Sequence, residues 1–280
     1  MSRGDMIDSH HHLWKYSPQD YPWIPEGSAL AQSYGLAELH DVTARSGVTG
    51  TVVVQARQCV EETRWLLDLA ARSSVIRGVV GWLPLIEDTI VAQLDQWQHE
   101  EALKGLRHVL QEEPDEYFAR TDFHRGLAAL AETHLRYDLL IFERQIPAAM
   151  AMIAHHPQLP IIIDHIAKPE IHNGRISETW RAGMRELAQR DQVIGVKISG
   201  MATEVRDETL CIDTLRAYFN ETLEIFGPQR VMVGSDWPVS LLRLESYPQW
   251  IQMLRTFVSE LSEAEQQMIL SDNAVRCYGL

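Results

Sequence analysis

Three consecutive histidines, His10-His11-His12, follow the short apolar run Met6-Ile7 and precede Leu13-Trp14. If residues 6–12 form a strand and its exit, successive side chains point to opposite faces. His10 and His12 then share a face, roughly 7 Å apart along the strand, and His11 points away. Two imidazoles side by side at a strand end make half of a metal site. Such a triplet is also what a remnant affinity tag leaves, and a hydrogen-bonded core histidine is a common non-functional outcome. A tag sits in a longer polar linker. This triplet is flanked by apolar residues and reads as native.

The other half of the site must come from elsewhere in the chain. Polar, titratable residues recur directly after short apolar runs: Arg107-His108, Asp164-His165 with Lys168, Lys197 with Ser199, and Ser235-Asp236-Trp237. His10, His12, His165 and Asp236 make a nitrogen-and-oxygen set suited to Zn²⁺ or another divalent ion such as Mn²⁺. Three histidines leave one position for water or substrate. Asp236 is placed to bind the ion, to take a proton from attacking water, or both; its competing reading is the N-cap of the next helix. Asp164 reads as an outer partner of a histidine ligand. Arg107 and Lys197 rise from apolar strands, so each needs a buried anion or a polar ligand. They are candidates to hold a substrate carbonyl, with an internal ion pair to Glu143 or Asp164 as the alternative. Arg107 and His108 alternate in direction, so only one faces the site. Gln55 and Arg57 are weaker candidates, and surface solvation accounts for Arg57.

The elements that would position these groups are legible as an alternation. Apolar runs at 6–8, 51–55, 76–82, 103–107, 137–141, 161–164, 194–198 and 231–234 read as strands. Runs such as Thr51-Val52-Val53-Val54 are continuously apolar, as in parallel strands covered on both faces. Between them, helical spacing marks 60–71, 89–100, 123–135, 147–155, 177–190, 209–226 and 247–261, with one more helix at 263–277. Eight such repeats are the pattern of a single-domain (β/α)8 TIM barrel over 1–280, whose functional groups gather at the carboxyl ends of the strands. A doubly wound open sheet is the runner-up; the first strand lacks the Gly-rich phosphate loop of a Rossmann fold. The aromatic and proline-rich stretch 13–33, with Trp14 and Trp23, is too broken for a helix and would lie over the barrel mouth. A second irregular stretch, 111–117, is acidic.

Composition narrows the function. Lys plus Arg total 25 against 39 Asp plus Glu, a net charge of −14. An acidic surface repels phosphate backbones and anionic lipids, which argues against nucleic-acid and membrane partners. Three scattered cysteines suggest no disulfide framework or thiolate site. No secretory signal or bilayer-length apolar run is evident, so a reduced cytoplasm is expected. A homo-oligomer is compatible with the sequence.

Taken together, these blocks resemble the amidohydrolase superfamily, in its amidohydrolase-2 branch, and within it the sugar-acid lactonases that open L-fucono- and L-rhamnonolactones. The similar blocks are Ile7-Asp8-Ser9-His10-His11-His12-Leu13-Trp14 with Trp23-Ile24, Gly105-Leu106-Arg107-His108 with Glu113-Pro114-Asp115, Asp164-His165-Ile166-Ala167-Lys168-Pro169, Gly195-Val196-Lys197-Ile198-Ser199-Gly200, Gly234-Ser235-Asp236-Trp237-Pro238 and Asn273-Ala274. The resemblance implies a hydrolytic lactonase in which His10, His12, His165 and Asp236 match the family's ligand positions. Strand five ends Leu140-Ile141-Phe142-Glu143 without a histidine, which points to one metal at most. Some lactonases of this branch work without a tightly bound metal, so metal dependence stays open. On this reading Asp236 is the base, and the metal, Arg107, His108 or Lys197 stabilises the oxyanion. Trp14, Trp23 and Trp237 stack on the sugar. The alternatives are a decarboxylase of the same branch acting on an unsaturated or aromatic acid, and a non-catalytic sugar-acid-binding barrel.

Overall fold

A computed structural model describes residues 5–280. Met1 to Gly4, part of the stretch on which the absence of a signal was argued, lie outside the described residues. Among those residues, eight parallel strands follow one another in chain order: β1 Ile7–His11, β2 Gly50–Val54, β3 Ile76–Gly81, β4 Leu103–His108, β5 Arg136–Leu139, β6 Ile161–Ile163, β7 Val193–Ile198 and β8 Val231–Val233. Backbone bonds from Ser235 and Asp236 to the His10 carbonyl (3.1 and 2.8 Å), and from His12 to the Trp237 carbonyl (2.7 Å), bring β8 back onto β1. The fold is therefore the (β/α)8 barrel, not the open sheet.

The alternation within strands explains the two apolar layers. Val52, Val54, Val80, Ile162 and Met232 point into the barrel, while Val53, Val79, Ile161 and Ile163 point out against the helices. The helices are α1 Leu36–Ser46, α2 Val60–Ala71, α3 Ile90–Trp97, α4 Thr121–Ala131, α5 Ile146–Ala154, α6 Glu178–Ala188, the four-residue α7 Met201–Glu204, α8 Ile212–Phe226, α9 Tyr247–Val258, α10 Glu263–Gln267 and α11 Asn273–Tyr278. Serines cap α6, α9 and α10, accepting from the backbone N–H three residues on. Two details depart from the sequence expectation. Helix α1 has no counterpart there, and the expected helix 263–277 is interrupted by a π turn at Met268–Asp272. Beyond it, Cys277 and Tyr278 join the barrel-interior cluster.

Asp8 staples the closure. Its fully buried carboxylate accepts from the Ser235 N–H (2.8 Å), the Ser235 hydroxyl (2.6 Å), the Tyr247 hydroxyl (3.0 Å) and the His10 N–H (3.2 Å). Burial nevertheless pushes its carboxyl up to about 6. These bonds fix the exits of β1 and β8 together, and those exits carry His10, His12 and Asp236.

Candidate active site

His10 and His12 do share a face: their Nε2 atoms lie 3.3 Å apart. His11 points away and meets the Thr51 hydroxyl at 3.0 Å. His165 arrives from the end of β6, and Asp236 from the end of β8. One carboxylate oxygen, Asp236 Oδ1, sits 3.3 Å from His12 Nε2, 3.8 Å from His165 Nε2 and 3.9 Å from His10 Nε2. Groups distant in sequence thus meet at one point on the carboxyl rim.

The chemistry of this donor set fits a divalent metal. Each imidazole is oriented through its other nitrogen: His12 Nδ1 lies 2.8 Å from the Val54 carbonyl, His165 Nδ1 2.8 Å from the Ser199 hydroxyl, and His10 Nδ1 3.3 Å from Asp164 Oδ1. For His12 and His165 such a partner fixes the ring angle and leaves Nε2 to face an ion; His10 Nδ1 is shared with Lys197 Nζ at 3.1 Å, and its Nε2 also meets Arg107 Nη1 at 3.2 Å. Burial holds the His165 imidazole down at about 4 and the His10 imidazole well below its ordinary value, so both are neutral, the form that ligates. His10, His12 and Asp236, and also His10, Asp164 and His165, can offer ligand atoms all within 4.8 Å of one another. Burial raises the Asp236 carboxyl, but the neighbouring His165, the contact with His12 and the Lys168 charge outweigh it and hold the group below its ordinary value.

Backbone conformation places these groups. After β6 four successive residues, His165, Ile166, Ala167 and Lys168, have φ of 51°, 49°, 57° and 43°. Left-handed backbone costs an L-residue roughly 1–2 kcal/mol, and a run that includes a β-branched isoleucine persists only where the surroundings impose it. Asp236 is also left-handed, at φ 54°. Gly200, itself left-handed at φ 64°, leaves room for the His165 ring: a Cβ there would lie 2.6 Å from Nδ1. Gly200→Ala should therefore displace His165. Divalent-ion affinity measured by calorimetric titration is expected to fall about 10–100-fold, as for other lost outer contacts of a ligand.

The remaining candidates divide. Arg107 faces inward and lines the cavity, its Nη1 3.1 Å from Asp164 Oδ2 and 3.2 Å from His10 Nε2, its Nη2 2.5 Å from the Gln55 carbonyl. Lys197 is fully buried beneath the imidazoles, with Nζ 2.5 Å from Asp138 Oδ2, 2.8 Å from Asp164 Oδ1 and 3.1 Å from His10 Nδ1. Of the ion pairs considered for these two cations, Asp164 is formed; Glu143 instead accepts from Ser177 and from the Glu170 N–H. His108 faces away, as strand alternation requires. It bonds Glu113 at 3.0 Å and stacks on Tyr117 at 5.0 Å. Of the three tryptophans Trp23 lines the cavity, whereas Trp14 and Trp237 are buried in the apolar packing behind it.

The cavity above the imidazoles measures about 480 Å³. Two ion pairs on its wall were not anticipated: Arg57 with Asp20 at 2.7 Å, and Lys168 with Glu204 at 3.0 Å. Arg57, still partly exposed, thus also lines the cavity, where the 13–33 loop brings Asp20 to it. The only sequence signal for Lys168 was its nearness to His165. Asp20 and Glu204 carried none.

A parallel barrel that gathers three imidazoles and a carboxylate on its carboxyl rim is the construction of a hydrolase able to hold a divalent ion. The sequence profile of the amidohydrolase family matches residues 7–280, and the chain belongs to that family. It is 37% identical to an L-fucono-1,5-lactonase of Burkholderia multivorans, over 98% of this chain and 96% of that one. It is 36% identical to an L-fucono-1,5-lactonase of Burkholderia ambifaria, over 88% and 85%. A crystal structure of a Burkholderia multivorans amidohydrolase with bound zinc superposes with a TM-score of 0.91 at 36% identity, covering 98% of this chain and 99% of that one.

Proposed function

We propose that this protein hydrolyses a sugar-acid lactone of the L-fucono-1,5-lactone type to the free acid. The observation that carries the reading is the convergence of Asp236 Oδ1 on three oriented imidazoles within a cavity large enough for one sugar ring. The two L-fucono-1,5-lactonases similar to this chain along most of its length support the substrate class.

The chain's own residues supply the steps. Asp236, ionised at neutral pH, accepts a proton from the attacking water. The water oxygen bonds to the lactone carbonyl carbon, whose oxygen gains the negative charge. Arg107 is the cation on the cavity wall nearest the imidazoles and stabilises that oxygen; a preorganised donor of this kind contributes about 3–4 kcal/mol. The carbon–ring-oxygen bond then breaks, and the proton held by Asp236 passes to the ring oxygen, which leaves as a hydroxyl. His10, His12, His165 and Asp236 would hold the divalent ion, which polarises the carbonyl when bound. Zinc is the proposed ion for a set so rich in nitrogen, with manganese second. Lys197 and His108 are reassigned from oxyanion stabilisation to support, since neither reaches the cavity. The aromatic-acid decarboxylase alternative has little to favour it in a cavity whose wall carries Trp23 beside two ion pairs.

Among the described residues no helix is long and apolar enough to cross a membrane. The proposal includes a cytoplasmic location and one catalytic unit spanning the chain.

The test is a pH-indicator assay over a panel of aldonolactones, with and without chelator. Acid release fastest from L-fucono-1,5-lactone is expected, with chelator slowing it. No acid from any lactone would overturn the reading, as would CO₂ release from an aromatic acid.

A further inference from the structure

We propose that Lys168 and Glu204 form a hydroxyl-reading dyad that makes the cavity select neutral polyhydroxylated lactones over lactones bearing a second carboxylate. This rests on the lactonase reading above and names what that site reads.

The dyad is built, not incidental. Lys168 ends the left-handed run after β6, and Glu204 ends α7, which is entered through the left-handed Gly200. The two loops are laced together: the Ile171 N–H donates to the Glu204 carbonyl at 3.3 Å, and the Arg206 N–H to the Ile171 carbonyl at 2.8 Å. Both side chains line the cavity, and Glu204 is 4% exposed. A buried ion pair is weak as a stabilising device, because desolvation offsets its attraction. Its retention on a cavity wall needs another account.

Hydrogen-bonding capacity supplies one. Lys168 Nζ gives one N–H to Gln111 Oε1 at 2.9 Å and one to Glu204 Oε1 at 3.0 Å, and an ammonium has a third. Glu204 Oε2 has Arg206 Nη2 at 3.5 Å, beyond a good hydrogen bond. A donor and an acceptor held side by side match a pair of neighbouring hydroxyls. Charge supplies the selection. Each cation lining the cavity is matched by a carboxylate: Lys168 by Glu204, Arg57 by Asp20, Arg107 by Asp164. A second substrate carboxylate, away from the reacting carbonyl that Arg107 serves, would find Lys168 and Arg57 already paired and would face Glu204 and Asp20.

The experiment compares kcat/KM of the wild type, Glu204→Gln and Lys168→Met on L-fucono-1,5-lactone, on δ-valerolactone, which has no hydroxyls, and on a δ-lactone carrying a carboxylate. A site that hydrogen-bonds a substrate hydroxyl discriminates strongly when the pairing is lost. Glu204→Gln and Lys168→Met should each lose about 10²-fold on the sugar lactone, chiefly through KM, and less than about threefold on δ-valerolactone. Glu204→Gln, which uncovers Lys168, should gain on the carboxylated lactone. Thermal melts establish that each variant is folded. Equal losses on the sugar lactone and δ-valerolactone, or no loss on either, would overturn the dyad while leaving the lactonase reading intact. A wild type inactive on every lactone would overturn both.

Discussion

Asp236→Asn should lose about 10³-fold or more in kcat on the sugar lactone while keeping its fold. The substitution preserves shape, but an amide cannot take a proton from water, and positioned general bases contribute roughly 10²–10⁴-fold. The same oxygen lies against three imidazoles, so weaker ion binding adds to the loss. Initial rates of acid release check the first effect and calorimetric titration the second. Turnover near wild type would remove Asp236 from the role of base. A pH dependence follows from the same geometry. The Asp236 carboxyl is held below its ordinary value of 3.8, so its base form persists as pH falls from 7. Any acid limb of kcat/KM due to Asp236 lies below pH 4, not near 6. A limb near 6 that vanishes in Asp236→Asn would contradict this.

Lys197→Met should destabilise the protein without the signature of a lost catalyst. Lys197 sits between Asp138 and Asp164, all three fully buried. Removing one partner of a buried ion pair costs about 3–5 kcal/mol, because a charge is left uncompensated. Asp164 keeps Arg107 at 3.1 Å, so the uncompensated charge falls on Asp138, which among the described residues keeps the Tyr278 hydroxyl at 2.8 Å. Burial, reinforced by the Asp164 charge, already pushes the Asp138 carboxyl up to about 6, against the pull of Lys197. A carboxyl raised above its unfolded value favours the folded state below the window and weakens it as pH rises from about 4 to about 6. Without Lys197 that carboxyl rises further and the loss continues above pH 6. Urea melts should therefore show a gap between variant and wild type that is small near pH 5 and widest near pH 8. A gap independent of pH, or a variant as stable as wild type with no turnover, would show that Lys197 acts otherwise.

His10 and His12 on one face, and His11 on the other, were legible because side chains in a strand alternate whatever surrounds them. The same rule required that only one of Arg107 and His108 face inward, but not which, since that depends on where the strand meets the barrel interior. The interior supplies Asp164 to Arg107, and the outer layer supplies Glu113 and Tyr117 to His108. Asp138 escaped notice as a lone acid between Tyr137 and Leu139, in a run that reads as apolar. It matters only because β5 and β7, on either side of β6, turn Asp138 and Lys197 toward each other in the barrel interior. Helix α1 was missed because its apolar positions are sparse, and its ends are marked mainly by Gly35 and Gly47.

By itself the sequence determined the strand–helix alternation, the rim residues His10, His12, His165 and Asp236, and the acidic surface, because these follow from local periodicity and composition. Only the tertiary structure decided that Lys197 lies in the floor, that Trp14 and Trp237 stand behind the cavity, and that Asp20 and Glu204 reach its wall. Those outcomes depend on left-handed turns and on loops meeting across the barrel mouth, where the energy lies in contacts between residues far apart in the chain.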